Sequence, residues 1–96
     1  YVTVSGGTPS VAGSYNVTSI TDNGDGDLIV TIATDFADTN WAVFALARAA
    51  STNTSRICYE QASSHAAGTT NIICENLSGT KSDPAAYSIM GFGDHA

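Results

Sequence analysis

Three aspartates fall close together at Asp22, Asp25 and Asp27, and carboxylates at such short intervals suggest a calcium loop. A loop of that kind places oxygen ligands at its first, third and fifth positions and a glutamate at its twelfth. Counted from Asp22, the later positions hold Gly24, Gly26 and Ala33, so the ligand set fails. The run from Asp22 to Asp27 reads instead as a tight turn, because Asn and Gly accept positive φ at little cost. Cys58 and Cys74 form the second candidate constellation. If their segments fold about a loop centred near His65 and Ala66, the two thiols face each other. Their Cα atoms would then lie about 4.5–5.5 Å apart, within disulfide reach. A bridge would stabilise by about 3 kcal/mol on the loop-entropy model. Two small apolar side chains in contact would account for the pair equally well.

The remaining reactive groups read as inert. His65 and His95 are expected in solvated loops, and no zinc spacing links them to the cysteines. Glu60 and Glu75 fall on opposite faces of their hairpin, so they make no glycosidase pair. No nucleophile elbow supports a Ser–His–Asp triad. No catalytic residue, metal site or cofactor is assigned, and the expectation is a protein that is not an enzyme.

The elements that position these residues are short strands separated by turn chemistry. Residues 1–5, 14–20, 27–34, 41–48, 56–62, 69–76 and 85–92 carry β-branched and aromatic residues between Gly, Asn, Asp, Ser and Pro. The turn at 22–27 joins two of them as a hairpin, and the loop at 63–68 joins two more. Trp41 to Ala47 is apolar on both faces, which predicts a strand covered on both sides. The fold class expected is all-β: an antiparallel β-sandwich of about six or seven short strands.

Ninety-six residues make one small domain, and a folded monomer of this size buries only about 64% of its unfolded surface. Contact with identical neighbours would therefore add appreciably to stability. The net charge is −6, and the three basic residues, Arg48, Arg56 and Lys81, are scattered. Nucleic-acid binding needs a basic cluster facing phosphate, and none exists. No apolar run approaches the ~20 residues of a membrane helix, so membrane insertion is not expected.

The segments Gly13–Gly24, Gly26-Asp27 with the β-rich run after it, Phe36–Val43 and the ending Ile89-Met-Gly-Phe-Gly-Asp94 together resemble a module found at the C-terminus of many phage and prophage tail-fibre proteins. The resemblance spans about residues 13–94 and is most specific in its opening block. Leu28 and Trp41 stand where tyrosines are more usual, and the stretch from about Ala47 to Asp83 matches only in pattern. The resemblance implies a homotrimeric β-structured tip on a fibre, located in the virion and assembled in the host cytoplasm, with loops that contact a host-surface receptor. Residues 1–12 are then the end of a preceding shaft or linker strand, and 13–96 the tip domain. A reducing cytosol favours free thiols at Cys58 and Cys74.

If strands alternate in direction, loops 21–27, 49–55 and 77–84 gather at one end. Asn23, Asp25, Ser51, Asn53, Lys81 and Asp83 are the residues expected there to bind a surface glycan or outer-surface protein. Trp41, Val43, Phe44, Leu46, Tyr59, Tyr87 and Phe92 are expected in the core or the trimer interface. The alternatives are a purely structural trimerisation cap and a secreted lectin-like or adhesin domain with its cysteines bridged.

Overall fold

The computed structural model describes residues 1–49, 51 and 54–95. Among them there are eight antiparallel strands and no helix: β1 (Val2–Ser5), β2 (Thr8–Val11), β3 (Val17–Asp22), β4 (Asp27–Ile32), β5 (Ala42–Arg48), β6 (Ile57–Glu60), β7 (Thr69–Glu75) and β8 (Ala86–Phe92). They form two sheets of four, in the orders β2-β1-β8-β5 and β3-β4-β7-β6. The all-β class expected from the sequence is therefore observed, with one strand more than the upper estimate.

The extra strand comes from the N-terminal segment. Gly6 and Gly7 both sit at positive φ, 57° and 80°, the geometry of the two-residue turn that matches strand twist. They fold Thr8–Val11 back onto β1, pairing Ser5 with Thr8 and Val4 with Pro9. Proline, which has no N–H to give a ladder, is tolerated because β2 is an edge. Val2–Val11 thus form a hairpin of the first sheet, where Val2 is 5% exposed and part of the core.

The core sits between the sheets. Val2 and Tyr87 face Leu28, Val30, Ile72 and Cys74, with Val43, Ala45, Ala47 and Ile89 packed around them. β7 is central and buried along both faces. Its outward Asn71 donates to Asp27 Oδ1 at 2.7 Å and to the Leu28 carbonyl at 3.0 Å. At one end Trp41 packs against β8, where a Cβ on Gly91 would stand 2.9 Å from the indole and one on Gly93 2.5 Å from the Trp41 Cβ. The glycines of the closing Ile-Met-Gly-Phe-Gly run make room for that ring.

β5 departs from expectation. Its residues alternate exposed and half-buried, so the single chain covers only the side carrying Val43, Ala45 and Ala47. Phe44 and Leu46 point outward, 58% and 72% exposed. They pair with Met90 and Ser88 of β8, and Phe92 packs edge-on against Phe44 with ring centroids 6.0 Å apart. Cover on both sides, which the apolar run predicts, is absent within one chain.

Candidate functional site

The two ends of the sandwich carry different chemistry. At the first, the β3–β4 turn meets the long β7–β8 connection. Asp27 N–H donates to the Gly24 carbonyl and Asn23 N–H to the Asp27 carbonyl, closing the turn. Gly26 donates to Asp83 Oδ1 at 2.8 Å, and Asp83 N–H donates to Asp25 Oδ1 at 2.8 Å. Gly26 holds φ at 64°, and a Cβ there would run into the Cys74 carbonyl and stand 2.6 Å from Ser82 N. Only glycine fits that crossing. Arg56 Nε reaches the Asp83 carbonyl at 3.2 Å, which brings in the β5–β6 connection as well.

Of the six residues expected to bind a receptor, the structure joins Asp25 directly to Asp83 and sets Asn23 in the same turn. Lys81 lies beside them, its ammonium 2.8 Å from Asp27 Oδ2. Ser51 is exposed and engaged in a local turn with Thr54; Asn53 lies outside the described residues. Asp25, Lys81 and Asp83 therefore already spend hydrogen bonds on holding the loops together. What they present outward is the remainder: the second Asp25 oxygen, the half-exposed Lys81 side chain and the exposed Asn23.

The carboxylates at this end are tuned in opposite directions. Burial pushes Asp27 up, but hydrogen bonds from Lys81, Asn71 and Asn23 outweigh it and hold the carboxyl below the usual range. Burial likewise pushes Asp83 up; the Gly26 amide pulls it down, and nearby Asp25 and Asp22 push it up again, for a net rise.

The seven aromatic and aliphatic residues expected in core or interface divide cleanly. Trp41 and Tyr87 are buried at 7% and 1%, and Val43 packs against the core. Phe44, Leu46, Tyr59 and Phe92 are exposed. Tyr59 donates its hydroxyl to Glu75 at 2.7 Å on the outer face of β6, which raises the phenol's pKa through the bonded carboxylate.

Cys58 and Cys74 pair directly across β6 and β7 and are not bridged. Their mutual hydrogen bond pushes the Cys58 thiol down, while the same bond and burial push Cys74 up. Glu60 and Glu75 do lie on opposite faces. Glu75 bonds Tyr59, whereas Glu60 accepts from Thr70 Oγ1 and contacts His65 Nδ1, each at 2.5 Å.

At the second end, sequence reasoning missed an aromatic stack. His65 lies on Trp41, Trp41 on Phe36 and Phe36 on His95, with centroids 4.4, 4.4 and 5.1 Å apart. Of the two histidines expected in solvated loops, His65 is half-buried in the stack, whereas His95 stays exposed while its ring lies on Phe36. His65 Nε2 also meets the Thr39 carbonyl at 3.1 Å, and Trp41 Nε1 donates to the Ala66 carbonyl at 2.9 Å. The only sequence signal was two large aromatics flanking a short loop, and the stack needs the 61–68 loop folded over it. Beside the stack, a groove of about 490 Å³ opens between the sheets, lined by Val17, Ile32, Val43, Ile89 and Tyr1 among others.

Among the described residues, no group of three His, Cys, Asp or Glu side chains is placed to hold a metal. No helix there is long and apolar enough to cross a membrane. Compared with family models, curated proteins and solved structures, the chain matches none.

Proposed function

We propose that this chain is the receptor-binding tip of a phage tail fibre, working as a homotrimer whose loop end attaches to a glycan or protein on the host surface. The observation that carries the reading is the outer face of β5 and β8. Phe44, Leu46, Met90 and Phe92 are each more than half exposed and adjacent, a contiguous apolar patch of the sort that marks an interaction surface. The four strands of that sheet contain no carboxylate, and Arg48 is their only charge. In a chain of net charge −6, this is the face on which identical copies meet with least repulsion.

Three copies side by side would present three sets of the loops that carry Asn23, Asp25, Lys81 and Asp83. Exposed amides that donate and carboxylates that accept suit hydroxyl-rich glycans, and three weak sites gain by avidity. The unbridged cysteines fit assembly in a reducing compartment better than a secreted, disulfide-bonded adhesin. One observation favours a second reading, a trimerisation cap without a receptor. Asp25, Lys81 and Asp83 each have a loop-fastening partner, so these side chains have a structural use already.

The experiment replaces Asn23 and Ser51 by alanine and Lys81 by methionine in the intact fibre. The receptor reading expects adsorption to fall at least about tenfold with the trimer retained. Unchanged adsorption by a folded trimer would reject it in favour of the cap.

A further inference from the structure

The loop between β6 and β7 folds back over Trp41, and His65 is the residue that fastens it. Its ring stacks on the indole with centroids 4.4 Å apart. Nδ1 lies 2.5 Å from Glu60 Oε2, and Nε2 lies 3.1 Å from the Thr39 carbonyl oxygen. A third bond, from Trp41 Nε1 to the Ala66 carbonyl at 2.9 Å, ties the same loop to the same indole.

Both partners of the imidazole are acceptors. A carboxylate and a carbonyl have no hydrogen to give, and a neutral imidazole carries only one N–H. With a single ring proton, one of the two contacts would set a nitrogen lone pair against oxygen. Moving a proton onto the carboxylate does not resolve the conflict, because imidazole is the stronger base by about two pH units. Glu60 Oε2 also accepts from the buried Thr70 hydroxyl, which favours the anion. Only the imidazolium satisfies both contacts, and a charged ring over an indole face is attracted by the π-system as well.

The charges around the ring favour the same state. From β6, Glu60 faces it; from β7, Thr70 brings a hydroxyl and no charge. The β4–β5 connection, which supplies Thr39 and Trp41, carries Asp35 against Gly68 and Asp38 bonded to Asn40 N–H. Asp94 joins that connection through Ala37, and His95 lies on the far side of Phe36. The cationic side chains stand elsewhere. Lys81 is on Asp27, Arg56 is on the Asp83 carbonyl, and Arg48 closes β5 at the end away from Trp41.

We propose that His65 is a pH-sensitive latch: as the imidazolium it pins the 61–68 loop across Trp41 to Glu60 and the Thr39 carbonyl, and on losing a proton it lets the loop open. Histidine changes charge between about pH 5 and 8, so the switch falls in the range where cells and their surroundings differ. The closed loop holds a proton that the open loop gives up more readily. Closure is therefore favoured at low pH and weakens as pH rises. The neutral ring keeps one tether and turns a lone pair on the other acceptor. The latch uses no residue of the β5–β8 patch, so it operates whether or not copies assemble there.

Opening is read by amide exchange, corrected for the intrinsic effect of pH, at Ala66 and Phe36, whose N–H groups bond to the Thr69 and Ala67 carbonyls. From pH 5 to pH 8 their opening constants should rise at least about tenfold relative to Ile72 in the core. Trp41 is the only tryptophan, and an imidazolium in contact quenches indole emission by accepting an electron, so fluorescence should rise over the same range. His65→Asn should show neither change, and His95→Asn should show both. Glu60→Gln should open at pH 5 about as readily as the unaltered chain does at pH 8. Opening constants of the unaltered chain that stay level with pH would overturn the proposal. So would a profile that survives His65→Asn or Glu60→Gln, or one that disappears with His95→Asn.

Discussion

Replacing Leu46 by aspartate separates folding from assembly, because the side chain is 72% exposed in the single chain. Within one copy the change costs little more than strand propensity, under about 1 kcal/mol. In an assembly that covers the β5–β8 face, the loss is larger. Covering a leucine fully is worth about 1.5–3 kcal/mol, so most of that is forfeited, and burying a carboxylate adds to the penalty. Taking about 3 kcal/mol per copy gives about 9 kcal/mol per trimer, or roughly six decades in its association constant at 1.4 kcal/mol per decade. The midpoint concentration of a monomer–trimer equilibrium follows the square root of that constant, so it should rise about a thousandfold. Sedimentation across a dilution series reads the midpoint, and circular dichroism checks that the monomer remains folded. Thr21→Asp, at an exposed position of the other sheet, should leave the midpoint in place. Equal midpoints for Leu46→Asp and the unaltered chain would refute the assignment of this face.

Gly26→Ala should destabilise by at least about 3 kcal/mol, from a strained positive φ and from the displacement of Cys74 and Ser82 backbone atoms. Gly24→Ala, with open space around its Cβ site, should cost only the backbone strain, and melting curves compare the two. Asp27 is depressed in the folded chain, so its contribution to stability is present above the unfolded value near 3.9 and is lost as pH falls through the folded one. Melting temperature should therefore drop steeply on acidification, and Lys81→Met should flatten that limb. Asp83 has the opposite sign: its folded value is raised, so its charge opposes folding at neutral pH and the opposition is relieved as pH falls. Asp83→Asn keeps an acceptor for Gly26 and should raise the melting temperature at pH 7 while changing little near pH 2.

Much of this architecture was legible because hairpins are local. The Asn23-Gly24 turn chemistry located β3 and β4, and folding 56–76 about its midpoint placed Cys58 opposite Cys74, as the register has it. The β1–β2 hairpin is not among the strands expected from sequence, because a proline usually argues against a strand and only the edge position lets Pro9 sit in one. Periodicity identified β5 without deciding whether Phe44 or Val43 faced inward, since both are apolar; that choice depends on the sheet across from it. The candidate binding residues show the deeper limit. An aspartate that fastens two loops, such as Asp83 on Gly26, has the same local sequence signature as one awaiting a ligand. The His65–Trp41 stack joins loops 24 residues apart in number and depends wholly on tertiary packing.

In the proposed trimer, sister copies cover Phe44, Leu46, Met90 and Phe92. Multi-angle light scattering of the unaltered chain at micromolar concentration measures this directly. Three chain masses are predicted, with the species dissociating on Leu46→Asp. A single chain mass that persists as concentration is raised to the millimolar range would contradict it.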